Sequence, residues 1–196
     1  MGDVVLVRHG QTEWSRSGRH TGRTDVPLDS TGEQQVQALR PLLARRTFGL
    51  VLSSPLQRAV RTAELAGLPM PGLDPDLCEW DYGSYDGRTT AEIRSERPGW
   101  AVWDAGPPDG ESLAEVGARA DRVIERIHQF QQTDDRAVAL VGHGHALRVL
   151  GVRWIDLSPA TARLFRLDTA TVSVLSAEHD WPAFGSWNVS AEDLRA

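Results

Sequence analysis

Three short apolar runs divide the chain. Val4-Val5-Leu6-Val7, Leu50-Val51-Leu52 and Ala137-Val138-Ala139-Leu140-Val141 each have the length and continuity of a strand buried on both faces. Between them the pattern changes to helical spacing. Ser30-x-x-Glu33 offers a capping box, and Val36, Leu39 and Leu43 then predict a helix over 31–46. Ser54 is a good N-cap with Pro55 at the first helical position and Gln57 completing a box, which predicts a helix to about Ala66. Ser112-x-x-Glu115 opens the clearest helix, with Leu113, Val116, Ala120, Val123, Ile127 and Phe130 in a 3/4 rhythm. A further helix follows His145. Residues 10–30 lack periodicity and read as a loop; 67–76 are Pro/Gly-rich turns. Residues 84–111 look like a small excursion with short helices. The tail suggests two more strands, Leu164–Asp168 and Val172–Ala177.

Strands alternating with helices imply an α/β fold, a three-layer α/β/α arrangement around a mostly parallel sheet. Right-handed crossovers then bring the strand ends to one edge, where ligands of open α/β sheets bind. No repeat, linker or low-complexity segment interrupts the chain, so 1–196 is expected to be one domain.

Composition narrows the chemistry. The 196 residues are 40% hydrophobic, enough for a full core, and no apolar run or basic-then-apolar leader suggests a membrane span or export signal. The expectation is a soluble cytoplasmic protein that meets no membrane. A net charge of −6 argues against a nucleic-acid partner. All 21 basic side chains are arginine, so a P-loop lysine and a Schiff-base lysine are both excluded. Cys78 is the single cysteine, with Ser at position 84, so the Cys-x5-Arg spacing of a cysteine phosphatase is absent. Cys78 reads as a buried filler. Gly142-x-Gly144 lacks the closing glycine of a dinucleotide loop, since Leu147 stands there. No metal is expected: His143 and His145 lack a carboxylate at ligand spacing. Composition is compatible with a monomer and with a homodimer.

Each strand end carries an anion-binding candidate: Arg8-His9, Arg58 at the mouth of its helix, and His143 between glycines. Two arginines would grip a phosphoryl group through forked hydrogen bonds while one histidine attacks and the other donates to its oxygens. The leaving alkoxide needs a proton. Glu79, set among aromatics, is the expected donor, with a raised pKa and Asp81 as its competitor. Taken singly, each of these residues has a plain structural explanation; together they point to phosphoryl chemistry. Trp14, Trp80, Trp100 and Trp103 fit core and lid packing better than a stacking platform, although Trp80, Tyr82, Trp100 and Trp103 would also give the site an aromatic-sided entrance.

Arg8-His9-Gly10-Gln11-Thr12, Ser53-Ser54-Pro55-Leu56-Gln57-Arg58-Ala59, Glu79 and Gly142-His143-Gly144 resemble the histidine phosphatase (phosphoglycerate mutase-like) superfamily over nearly the whole chain. The resemblance implies His9 as a nucleophile that becomes phosphorylated, Arg8, Arg58 and His143 as a phosphate pocket, Glu79 as proton donor, and no cofactor. It suggests further contacts to a small phosphorylated metabolite at Gln11, Ser15, Thr21, Gly22 and Gly144, with Tyr82 beside them. The stretches 20–25, 79–87 and 142–148 are similar to a narrower branch of small acid phosphatases and sugar bisphosphatases. The family's mutases are longer, with an insertion of basic residues; here 84–111 is short, Trp80 stands in place of an arginine and Ser15 in place of an asparagine. Phosphomonoester hydrolysis is therefore expected. The alternatives are a cofactor-dependent phosphoglycerate mutase and a non-catalytic phospholigand-binding module.

Overall fold

A computed structural model describes residues 2–193. The central strands are β1 (Val4–Arg8), β2 (Phe48–Ser53), β3 (Gly72–Leu73) and β4 (Ala137–Gly142), all parallel; β5 (Val172–Glu178) and β6 (Trp181–Val189) extend the sheet antiparallel. The order across the sheet is β3-β2-β4-β1-β5-β6. Arg8 pairs in register with Gly142, and Ser53 with Val141, so the carboxyl ends of three strands lie level.

Alternation along β1 explains the layers. Val4 and Leu6 pack on one face with α7 (Leu113–Gln131) and α8 (Gly144–Trp154). Val5 and Val7 pack on the other with α2 (Ser30–Gln37), α3 (Arg40–Leu43) and α4 (Gln57–Leu65). The three-layer α/β/α expectation holds.

Several local expectations change. The 31–46 helix is two pieces, α2 and α3, separated around Ala38-Leu39 with Pro41 in the first turn of the second. The loop 10–30 contains a short helix α1 (Glu13–Ser17), capped reciprocally by Thr12 and Ser15. Ser54 is not the cap of α4: that helix starts at Gln57 with Leu56 before it and no side-chain cap. The Ser54 hydroxyl lies 2.8 Å from Nε2 of His143 instead. Leu164–Asp168 is not a strand; a 3-10 helix, Pro159–Leu164, leads into an extended connection. The 84–111 excursion does hold short helices, α5 (Thr90–Glu96) and α6 (Val102–Ala105). Among the described residues, no helix is long and apolar enough to cross a membrane.

Candidate active site

His9 leaves the end of β1 and turns under its own chain, where Nδ1 lies 2.7 Å from the Gly10 carbonyl oxygen. That oxygen can only accept, so Nδ1 carries the proton and Nε2 keeps its lone pair. Burial, with the charges of Arg8 and Arg58, holds the His9 pKa well below the usual histidine value. At neutral pH it is an uncharged imidazole. Gly10 permits this turn because α2 passes so close: a Cβ there would lie 2.5 Å from the Gly32 carbonyl oxygen.

Arg8, at the end of β1, donates Nη1 to the Leu167 carbonyl, while its Nε is buried without a partner. Burial lowers its pKa, opposed by Glu79. Gly144, the first residue of α8, makes room for this guanidinium: a Cβ there would stand 3.1 Å from its central carbon. An anionic oxygen would satisfy both the orphan donor and the compressed charge.

Arg58 and His143 are fully buried behind His9. Arg58 Nε donates to His143 Nδ1 at 3.1 Å, so the His143 proton sits on Nε2 and points to Ser54 Oγ at 2.8 Å. The His9 and His143 ring centroids are 5.1 Å apart. The other Arg58 amines donate to the carbonyls of Thr21, Gly22 and Thr24. Burial and Arg58 push the His143 pKa well down.

Glu79 also faces the site, but the expected raised pKa is wrong. Burial pushes its pKa up; His145 and three backbone N–H groups, those of Trp80, His145 and Ala146, bring it below the usual carboxylate value. Two of those amides belong to the first turn of α8, whose dipole favours the anion. Asp81 is no competitor, because it pairs with Arg23 and accepts from the Gly83 amide.

A cavity of about 200 Å³ opens over this group, lined by Arg8, His9, Ser15, Thr21, Glu79, Tyr82 and Gly144 from the predicted set. Arg58 and His143 lie behind it rather than on its wall. Gln11 and Gly22 do not line it either. The Gln11 amide donates to Asp29, and the Gly22 N–H to Asp86. Among the aromatics, the expected entrance reduces to Tyr82; Trp80 and Trp100 are buried in the core. Cys78 is half-buried, with its sulfur 3.8 Å from the Ser54 hydroxyl.

Sequence reasoning missed Arg19, His20, His145 and Arg148, which complete the wall. His145 is held neutral by burial, with a pKa of about 3, and its Nδ1 is 2.7 Å from the Tyr82 hydroxyl. Arg148 stacks 4.7 Å over Trp103. The signal for Arg148 was the spacing of α8, which turns Gly144 and Arg148, four residues apart, to the same side. Among the described residues, no three His, Cys, Asp or Glu side chains gather as a metal-binding group.

Comparisons with known proteins find relatives over nearly the whole chain. A family model described as the histidine phosphatase superfamily (branch 1) matches residues 4–190. An acid phosphatase of Mycobacterium tuberculosis is 41% identical over 178 residues, 90% of this chain and 87% of the relative. A sedoheptulose 1,7-bisphosphatase of Saccharomyces cerevisiae is 37% identical over 78% of this chain and 67% of its own length. The solved structure of a Mycobacterium tuberculosis open reading frame product superposes with a TM-score of 0.92 at 38% identity, covering 97% of this chain and 98% of that one.

Proposed function

The chain belongs to branch 1 of the histidine phosphatase superfamily, and from that premise we propose that it hydrolyses phosphomonoesters of small metabolites through a phosphohistidine on His9. That it is a phosphatase follows from the family and its phosphatase relatives. The residue roles are our reading of the site. The observation that carries them is the pairing of an unprotonated His9 Nε2 with the unsatisfied Arg8 donor at one cavity.

In the first step, Nε2 of His9 attacks phosphorus. The P–O bond to the alcohol breaks as the P–N bond forms, and the departing oxygen takes a proton from Glu79. In the second step, water attacks the phosphohistidine, its proton returns to Glu79, and the P–N bond breaks to release phosphate and neutral His9. Arg8 neutralises the equatorial oxygens from the wall. Arg58 adds positive field and the neutral His143 hydrogen-bonding order from behind, and the Arg58 charge also keeps His9 unprotonated. Ser15, Thr21, Tyr82 and the Gly144 amide stand where the ester's oxygens would lie. A cytoplasmic location, beside the pool of phosphorylated metabolites, fits this reading.

Purified protein should release phosphate from p-nitrophenyl phosphate, and His9→Ala should lose at least about a thousandfold in kcat/KM, as expected when a covalent nucleophile is removed. Undiminished turnover by the variant would overturn the mechanism.

A further inference from the structure

Glu79 lies in a connection, 79–82, that belongs to no strand or helix. Its carboxylate meets the first turn of α8, yet that contact leaves the backbone beneath it unexplained. Two side chains outside the cavity supply the missing hold. Arg119, in the second turn of α7, donates Nη1 to the carbonyls of Asp76 (2.6 Å) and Cys78 (3.0 Å). Its Nη2 donates to the Glu79 carbonyl (3.4 Å) and to Glu111 Oε2 (2.9 Å), and Nε to Glu111 Oε1 (2.7 Å). All five guanidinium donors are thereby used.

Glu111, just before the cap of α7, completes the clamp. Its Oε2 accepts from the Asp81 amide, its own amide donates to the Asp81 carbonyl, and its carbonyl accepts from the Trp80 indole. The pair therefore grips the backbone on both sides of Glu79, at 76, 78 and 79 and again at 81, and holds the Trp80 indole between them. Both side chains are largely buried, 12% and 17% exposed, and neither lines the cavity. A surface ion pair would be worth little, whereas a shielded, bidentate pair with every donor satisfied fixes geometry.

We propose that Arg119 and Glu111 are positioning residues for proton transfer: they set where the Glu79 carboxyl meets the leaving oxygen. The assignment rests on Glu79 acting as the proton donor in the proposed hydrolysis. It implies a selective defect. A p-nitrophenolate departs without help, but an alkoxide such as that of glycerol needs the proton delivered to it. In a two-step mechanism kcat/KM reports only events up to phosphorylation of His9, so the later role of Glu79 toward water does not enter.

The test compares kcat/KM for glycerol 3-phosphate and p-nitrophenyl phosphate in wild type, Arg119→Lys and Glu111→Gln. Lysine keeps the cation but offers three donors instead of five, without the planar fork. Glutamine keeps the shape of Glu111 and loses its charge. In each variant the ratio of the two values should shift at least about tenfold against glycerol 3-phosphate, part of the 10²–10⁴ that general acid catalysis typically supplies. The fall of glycerol 3-phosphate kcat/KM with rising pH should flatten in parallel. Thermal unfolding establishes that each variant is folded, and either variant alone suffices. An equal loss on both esters, or no loss on either, would overturn the assignment. Inactivity of the wild type, or full activity of His9→Ala, would instead refute the hydrolytic reading beneath it.

Discussion

In the proposed hydrolysis, the charge on Glu79 sets the pH at which alkyl esters react. In the free protein His145 and three backbone amides stabilise its carboxylate, so its pKa lies below the ordinary value despite burial. His9 is neutral down to well below the usual histidine range. The signs then work in one direction. Raising the pH removes the proton that the leaving oxygen needs, while lowering it toward neutrality and below does not yet protonate the nucleophile. We therefore expect kcat/KM for glycerol 3-phosphate to fall as pH rises between about 5 and about 8, and Glu79→Gln to lose about 10²–10⁴ on that ester at the acidic end. The substrate's own second ionisation is common to both proteins and cancels in their ratio. A wild-type rate on this ester that rises with pH relative to the variant would contradict the assignment of Glu79.

At the scale of elements, the site is a set of level strand ends roofed by stitched loops. The loop 20–24 has no regular structure, but it is bonded from both sides. Asp86 accepts from the amides of Gly22 (2.7 Å) and Thr24 (3.0 Å) and from the Thr24 hydroxyl, while Arg58 takes the carbonyls of Thr21, Gly22 and Thr24. Asp86→Ala removes the first half of this hold. It should raise KM several-fold with a smaller change in kcat, destabilise the protein by about 1–3 kcal/mol, and accelerate hydrogen exchange at the Gly22 and Thr24 amides. Unchanged exchange at those two amides would refute the strapping role. Central strands and α7 were legible because continuous apolar runs and a capping box need no tertiary context. β6 was not, because an edge strand containing Pro182 and Gly185 shows no clean alternation. Ser54 misled because a hydroxyl that could cap α4 was recruited by His143, 89 residues away in sequence. The same separation hid the Arg119 clamp: nothing local connects Arg119 to Glu79. Arg8, His9 and His143 were legible because each stands at or beside a strand end, which the topology brings together whatever the loops do; Glu79, in a connection between elements, was suggested only by a carboxylate set among aromatics.

Across the whole molecule, an acidic chain with a net charge of −6 encloses a cationic pocket. Most surface arginines are matched by carboxylates, among them Arg122 with Asp76, Arg153 with Asp121 and Arg136 with Asp134. Arg58 instead lies buried and Arg8 half-buried, with carbonyls, His143 and the Glu79 carboxylate around them. The fold thus concentrates two guanidinium charges, partly offset by the Glu79 carboxylate, next to a neutral imidazole. Such an arrangement serves transfer of a phosphoryl group to nitrogen. The most direct test is to quench the protein during turnover of a radiolabelled phosphomonoester and to locate the label. An acid-labile, base-stable phosphoryl group is expected on the peptide containing His9, and none in His9→Ala. Label on another residue, or its persistence in His9→Ala, would contradict that role for His9.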